Sequence, residues 1–196
     1  MKLLVATSNP GKVKEIAAMV GERARVETLL DHPEVVMPEE TGATFEENAR
    51  LKAEHLATMT GEVAIADDSG LEVDALDGRP GVSSARYAPG PDAARNEKLL
   101  GELGESTSRS ARFVCAMALA VPGGPTRVVR GTVEGRIGRS PRGGGGFGYD
   151  PIFELGDGRT MAELAVEEKN RISHRGRALS VLWPAIEATL SDRSSK

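Results

Sequence analysis

LLVATSNPGKVKEIAAMVG, residues 3–21, decides the fold class. Leu3 to Ala6 is a short apolar run and reads as a buried strand. Thr7-Ser8-Asn9-Pro10-Gly11 is turn chemistry, in which proline fixes the backbone and glycine frees it. From Lys12 to Val20 the apolar residues Val13, Ile16, Ala17 and Val20 recur at the spacing of one helix face, and Gly21 stops the run. A strand that feeds straight into a helix is how an α/β chain begins.

Outward from that unit the alternation continues. Val26 to Leu30 reads as a second strand and residues 31–43 as a loop bearing acids and prolines. Thr44 to Thr60 is the clearest helix. Thr44 and Glu47 stand at capping-box spacing, Phe45, Ala49, Ala53, Leu56 and Ala57 form one face, and Asn48, Lys52 and His55 form another before Gly61. Val63 to Ala66 reads as a buried strand that ends at a glycine turn, Asp67-Asp68-Ser69-Gly70. Leu71, Val73 and Ala75 then alternate with acids as in a half-buried strand. Residues 77–91 are loop, and Asp92 to Leu103 reads as a helix capped by Asp92 and closed by Gly104. Ala111–Val121 and Thr126–Ile137 read as an antiparallel pair joined at Pro122-Gly123-Gly124-Pro125.

Residues 139–150 form a glycine-dense loop, and Thr160 to Lys169 reads as a short helix with another Thr-x-x-Glu start. Ser173 caps a last helix whose core face is Ala178, Val181, Leu182, Ala185 and Ile186, with Pro184 kinking it. The serine-rich segment 191–196 reads as a frayed tail. Early strand–helix alternation followed by an antiparallel pair predicts one α/β domain over residues 1–196, built on a mixed sheet.

Composition removes several function classes. A net charge of -4 argues against a broad basic surface for a nucleic acid polymer. The apolar run Ala116–Val121 is too short to cross a bilayer, and Met1–Ala6 is too short for a signal peptide, so no membrane role is expected. A single cysteine, Cys115, makes no internal disulfide and fits a reducing cytoplasmic setting. His32, His55 and His174 are too scattered for a typical zinc site. Glycine stands out: 23 of 196 residues, against a usual share of about 7%.

Five segments carry residue types suited to chemistry. Thr7 to Lys12 lies between strand and helix, where free N–H groups and a lysine suit phosphate; an ordinary strand–helix turn reads the same way. It is not a P-loop, since the first glycine is missing and Val13 stands where Ser or Thr would hold magnesium. Asp67-Asp68-Ser69-Gly70 places two carboxylates after a buried strand, and magnesium, which takes oxygen ligands and bridges phosphates, would compensate them. If the strand continues, the two carboxylates face opposite ways.

Glu39-Glu40-Thr41-Gly42 would add a metal ligand if the fold brings it near Asp68. Gly143 to Asp150 contains a G-x-G-x-x-G spacing, but no helix pattern follows it, so it is not a dinucleotide fingerprint. It reads instead as a loop that lets backbone approach a ligand, with Phe147 or Tyr149 as a stacking surface. Lys169 to Gly176 puts His174 and Arg175 at a helix start, where cations oppose the macrodipole unless an anion or base edge offsets them.

Together the five segments resemble the inosine triphosphate pyrophosphatases, the non-canonical purine NTP pyrophosphatases. The similarity runs from Ala6-Thr7-Ser8-Asn9-Pro10-Gly11-Lys12 through Glu39-Glu40-Thr41-Gly42, Phe45-Glu46-Glu47-Asn48-Ala49 and Ala66-Asp67-Asp68-Ser69-Gly70-Leu71. It continues through Val73-Asp74, Pro80-Gly81 and Ser84-Ala85-Arg86-Tyr87 to Gly146-Phe147-Gly148-Tyr149-Asp150-Pro151 and Ser173-His174-Arg175-Gly176. The resemblance implies an elongated mixed β-sheet with flanking helices forming two lobes around a nucleotide-binding cleft. It also implies a homodimer and a magnesium-dependent hydrolase that converts ITP, dITP or XTP to the monophosphate and pyrophosphate, cleansing the nucleotide pool. On that resemblance Asp68 is the general base and a Mg2+ ligand with Glu40, and Thr7, Ser8, Asn9, Pro10, Gly11 and Lys12 hold the triphosphate. Lys52 adds a phosphate contact and Ser69 touches substrate. Phe147, Gly148, Tyr149 and Asp150 line the nucleoside pocket, and Lys169, His174 and Arg175 contact the nucleotide, the last two near the 6-oxo edge.

The chemistry is coherent with those assignments. A triphosphate brings several negative charges, which magnesium and two or three lysines offset. A 6-oxo purine presents an acceptor where adenine presents a donor, so fixed donors favour the first and leave buried groups unpaired with the second. Nine of the 23 glycines, Gly11, Gly42, Gly70, Gly143 to Gly146, Gly148 and Gly176, fall in these segments, as expected where bare backbone lets a ligand come close. A non-catalytic nucleotide sensor using the same residues is the alternative, and it has no need for both Asp68 and Glu40.

Overall fold

The computed structural model describes residues 1–194. Strand β1 (Lys2–Val5) leads through the Thr7–Asn9 turn into helix α1 (Pro10–Val20). Pro10 takes the first helical position, where a missing N–H costs nothing. Asn9 caps the helix, its Oδ1 accepting from the Lys12 N–H at 3.1 Å. Strand β2 (Arg25–Thr28) follows, parallel to β1. Helix α2 (Phe45–Thr60) has its capping box made in both directions: Glu47 N–H to Thr44 Oγ1 at 3.2 Å and Thr44 N–H to Glu47 Oε2 at 3.3 Å.

Strand β3 (Ala64–Val73) overturns one expectation. The chain does not turn at Asp67-Asp68-Ser69-Gly70 but runs through it as one ten-residue strand, parallel to β1. The polar segment stays in the sheet because each aspartate meets cations on its own side of the strand. Helix α3 (Asp92–Leu103) also starts differently from its sequence reading: Pro91 is the cap position and Asp92 the first helical residue. The Asp92 carboxylate is taken by Arg95 and by the Gly148 N–H.

Strands β4 (Ser110–Ala120) and β5 (Arg127–Ile137) are neighbours joined by a short connection, and β6 (Phe153–Glu154) pairs antiparallel with β5. The sheet order is β2-β1-β3-β4-β5-β6, the mixed sheet expected of the chain. Thr160 and Glu163 form their capping box on a single tight turn, Met161–Glu163, and helix α4 begins only at Val166 and ends at Ile172. Helix α5 spans His174–Ser194 and contains Pro184. It therefore includes residues 191–194, which read as tail; residues 195 and 196 lie outside the described residues. Its core face is Ala178, Leu179, Leu182, Trp183, Ile186 and Leu190, whereas Val181 is 61% exposed. Trp183, absent from the expected face, joins the core with its ring under the Arg23 guanidinium, which lies 3.9 Å from the ring centroid.

The chain forms two compact units. The first comprises Met1–Asp68, Cys115–Gly131 and the residues from Arg175 onward, and its core includes Leu3, Val5, Ile16, Ile65, Met117 and Leu182. The second comprises Ser69–Val114 and Thr132–His174, with Leu71, Leu99, Phe113, Ile137, Phe153 and Met161 at its centre. Each such side chain contributes about 1.5–3 kcal/mol on burial, so each unit has a core of its own. No helix among the described residues is long and apolar enough to cross a membrane.

Candidate functional site

In the first unit, strand β3 divides its two aspartates between two sides, as a two-residue period requires. Asp68 faces α2. Its Oδ1 accepts from the Lys52 ammonium at 2.9 Å and its Oδ2 from the Asn48 amide at 3.3 Å. The same ammonium reaches Glu40 Oε1 at 2.8 Å. Asn48 also holds the acidic loop in place, its Oδ1 accepting from the Gly42 N–H at 2.8 Å. Asn48 and Lys52, one turn apart on the polar side of α2, thus bring Glu40 and Asp68 onto a common cation.

Electrostatics follow from burial. Desolvation pushes the Asp68 carboxyl above the ordinary value of 3.8 even though Lys52 and Lys12 pull the other way. For Lys52, burial works against the charge, but Asp68, Asp67 and Glu40 outweigh it and hold the ammonium above its ordinary value. Lys52 is therefore firmly cationic, and Asp68 is a stronger base than a solvated aspartate.

Asp67 faces the other side. Its Oδ2 accepts from Lys12 at 3.1 Å and from both Nε and Nη2 of Arg175, at 3.2 and 2.9 Å. Arg175 in turn donates through Nη1 to Glu15 Oε2 at 2.5 Å. Burial alone would raise the Asp67 carboxyl, but Lys12 and Arg175 hold it well below the usual carboxylate range. The guanidinium, buried to 1% exposure, is likewise held firmly charged by Asp67 and Glu15 against the cost of burial. The Arg175 guanidinium, expected at a base edge, has Glu15 and Asp67 as carboxylate partners here, and they offset a cation at a helix start.

The second unit gathers another set. The Lys169 ammonium lies 2.5 Å from Asp150 Oδ2 and 5.1 Å from the centroid of the Phe147 ring. Asp150 Oδ2 also accepts from the Phe147 N–H at 2.8 Å, so one carboxylate sets both the loop and the lysine. Helix α3 fixes the same turn from its own side: the Gly148 N–H donates to Asp92 Oδ2 at 2.5 Å, and Asn96 Nδ2 donates to the Gly148 carbonyl at 3.2 Å. Tyr149 is buried with its hydroxyl donating to the Ser84 carbonyl at 2.9 Å, whereas Phe147 is half-buried. The His174 ring is also turned inward, stacked on Phe113 at 4.9 Å and 15°.

The structure therefore brings Lys12, Glu40, Lys52, Asp68 and Arg175 together in one unit, and Phe147, Gly148, Tyr149, Asp150 and Lys169 in the other. Thr7 is buried and accepts from the Asn9 N–H at 3.2 Å, and Ser8, Asn9, Pro10 and Gly11 form the turn and first residues of α1. Ser69 opens the part of β3 that belongs to the second unit. Sequence reasoning gave no site role to Asn48, Glu15 or Asp92. Glu15 was visible in principle, since it stands three residues after Lys12 on the same helix; Asp92 was not, because its partner is 56 residues away.

The donors suit a divalent cation of the magnesium kind. Among the described residues no group of three or more His, Cys, Asp or Glu is assembled to hold a metal. Two carboxylates already share one cation in the form of the Lys52 ammonium. Two hard oxygen ligands are what magnesium needs when water and substrate phosphates complete its shell.

The Ham1 family sequence profile matches residues 3–185. The chain is 56% identical over 187 residues to a dITP/XTP pyrophosphatase of an Exiguobacterium species, covering 93% of this chain and 95% of that one. It is 56% identical over 188 residues to the dITP/XTP pyrophosphatase of Geobacillus kaustophilus, covering 92% of each. The structure of the Staphylococcus aureus Ham1 protein is similar with a TM-score of 0.84 at 42% identity, over 98% of this chain and all of that one. That of a nucleoside-triphosphatase / dITP/XTP pyrophosphatase from Mycobacterium abscessus is similar with a TM-score of 0.75 at 48% identity, over 94% of this chain.

Proposed function

The chain belongs to the Ham1 family, and from that premise we propose that it is a nucleoside triphosphate pyrophosphatase acting on dITP, XTP and ITP. Water attacks the α-phosphorus, the bond to the β-phosphate oxygen breaks, and the products are the monophosphate and pyrophosphate. The observation that carries this reading is the carboxylate pair on β3, in which each aspartate holds a lysine of its own. That is a site with cations for a polyanion and a base for water, set on one rigid strand.

In this reading Asp68 accepts the proton of the attacking water, and its burial-raised basicity suits it to do so. Lys12 and Lys52 meet the phosphates, and the turn that Thr7, Asn9 and Pro10 shape at the start of α1 offers them the Ser8 and Gly11 N–H groups. Glu40 and Asp68 would hold magnesium, which supplies Lewis-acid stabilisation of the phosphoryl oxygens when bound. Phe147 stacks on the base, with Gly148, Tyr149 and Asp150 fixing its loop. Lys169 offers a donor to the 6-oxo group, which adenine, bearing a donor there, does not satisfy. Ser69 and His174 complete the nucleotide contacts. The whole chain serves as one catalytic domain, working as a cytoplasmic homodimer; a buried Cys115 with no disulfide fits that compartment.

The test is a panel of ITP, dITP, XTP, GTP and ATP, with magnesium, read by pyrophosphate release. Turnover of the first three with pyrophosphate as the primary product is expected. Orthophosphate as the primary product would overturn the reaction, and tight ITP binding without turnover would make the protein a sensor.

A further inference from the structure

The reading above gives Asp67 no contact with substrate or metal, yet it is among the most completely buried charges of the first unit and adjoins Asp68 on β3. Its Oδ2 is a shared acceptor: two guanidinium nitrogens of Arg175 and the Lys12 ammonium all reach that one oxygen, at 2.9, 3.2 and 3.1 Å. Arg175 is itself clamped by Glu15 at 2.5 Å. Two cations and two carboxylates therefore close a neutral network drawn from α1, β3 and α5.

An ordinary buried ion pair does not need this arrangement. Arg175 already has Glu15, and a second buried carboxylate adds a desolvation cost that folding alone has no reason to incur. What Asp67 adds is a fixed place for Lys12. A lysine in the first turn of a helix is disfavoured by the macrodipole, and its long side chain keeps many rotamers open. Tethered to an oxygen that Arg175 holds still, Lys12 loses that freedom before any ligand arrives, and its side chain is still 15% exposed.

We propose that Asp67 is a positioning residue that holds the Lys12 ammonium where it meets the triphosphate, with Arg175 and Glu15 fixing Asp67 in turn. The inference rests on the pyrophosphatase reading. The two adjacent aspartates of β3 then act as a pair, each setting one phosphate-binding lysine: Asp68 sets Lys52, and Asp67 sets Lys12. An acid beside a polyanion site repels the ligand, so the gain is expected in kcat and not in binding.

The experiment is a double-mutant cycle on XTP turnover with Lys12→Met, Asp67→Asn and both together. Asp67→Asn is expected to lower kcat by about tenfold without raising KM, a split that general loosening of the fold does not produce. The double variant is expected to lose no more than Lys12→Met does, within about twofold, because Asp67 acts through Lys12. Losses that multiply, or a higher KM with unchanged kcat, would overturn the proposal. If Asp67→Asn does not fold, the wild-type Lys12 ammonium resonance, assigned by its absence in Lys12→Met, decides: slowed hydrogen exchange supports the tether and exchange as fast as a surface lysine's refutes it. Failure of wild-type turnover would instead refute the pyrophosphatase reading, and the exchange measurement would still test the tether.

Discussion

Between Glu40 and Asp68 the ammonium of Lys52 does the work of a counter-ion, and single residues there should respond in opposite directions. Asp68→Asn removes the proposed base while keeping the shape and leaves Lys52 its pair with Glu40. Pyrophosphate release is expected to fall by about 10²–10⁴-fold, with the melting temperature within about 5 °C of wild type; unchanged turnover would strip Asp68 of its role. Lys52→Met removes the competing cation from the two carboxylates. Calorimetric titration of magnesium without nucleotide should therefore show tighter binding than wild type, and weaker binding would mean that Glu40 and Asp68 are not the ligands. Cys115 is the opposite kind of residue, buried in the core of the first unit with its thiol pushed up to about 12 by desolvation. At pH 8 the thiolate is then a very small fraction, so iodoacetamide should label Cys115 only after unfolding; rapid labelling of the native protein would contradict this burial.

At the scale of elements, the glycine loop before Phe147 separates steric need from ligand access. A Cβ on Gly143 would stand 2.5 Å from the Ala162 carbonyl carbon, and its φ is 78°, whereas a Cβ on Gly144 meets nothing within 4 Å. Gly143→Ala is expected to cost about 2 kcal/mol or more in urea unfolding, and Gly144→Ala under about 0.5; equal costs would mean the loop does not pack on Ala162. The sequence reading reserved this bare backbone for a ligand, but the Gly145 N–H donates to the Ala162 carbonyl at 3.0 Å, so part of the glycine excess serves contact within the protein. Local signals were legible: the Thr44–Glu47 box, the Asn9–Pro10 helix start and the stops at Gly61 and Gly104 depend on residues a few positions apart. What escaped was settled at a distance. The cations that let Asp67 and Asp68 stay in a strand come from residues 12, 52 and 175, and Arg175 meets Glu15 across 160 positions. No window of sequence holds both halves of such a pair, so a polar strand looked like a turn.

For the molecule as a whole, the two compact units divide the proposed labour by chemistry. The carboxylates and lysines suited to metal and phosphate lie in the first, and Phe147, Asp150 and Lys169, suited to a base, lie in the second. Of the four places where the backbone passes from one unit to the other, two, Asp68–Ser69 and His174–Arg175, fall inside motifs that carry the family resemblance. Every nucleoside triphosphate presents the same phosphates, so losing a first-unit lysine should penalise all substrates alike. Lys12→Met is expected to lower kcat/KM for XTP, dITP and ATP by a common factor, within about threefold. Phe147 and Lys169 are proposed to meet the base and not the phosphates, so Phe147→Ala and Lys169→Gln are expected to shrink the XTP-to-ATP ratio of kcat/KM by about tenfold or more. Should Lys12→Met shift that ratio as strongly as Phe147→Ala does, base selection would not reside in the second unit. The Phe147 loop, for all its anchoring by Asp92, Asn96 and Asp150, would then be structural support.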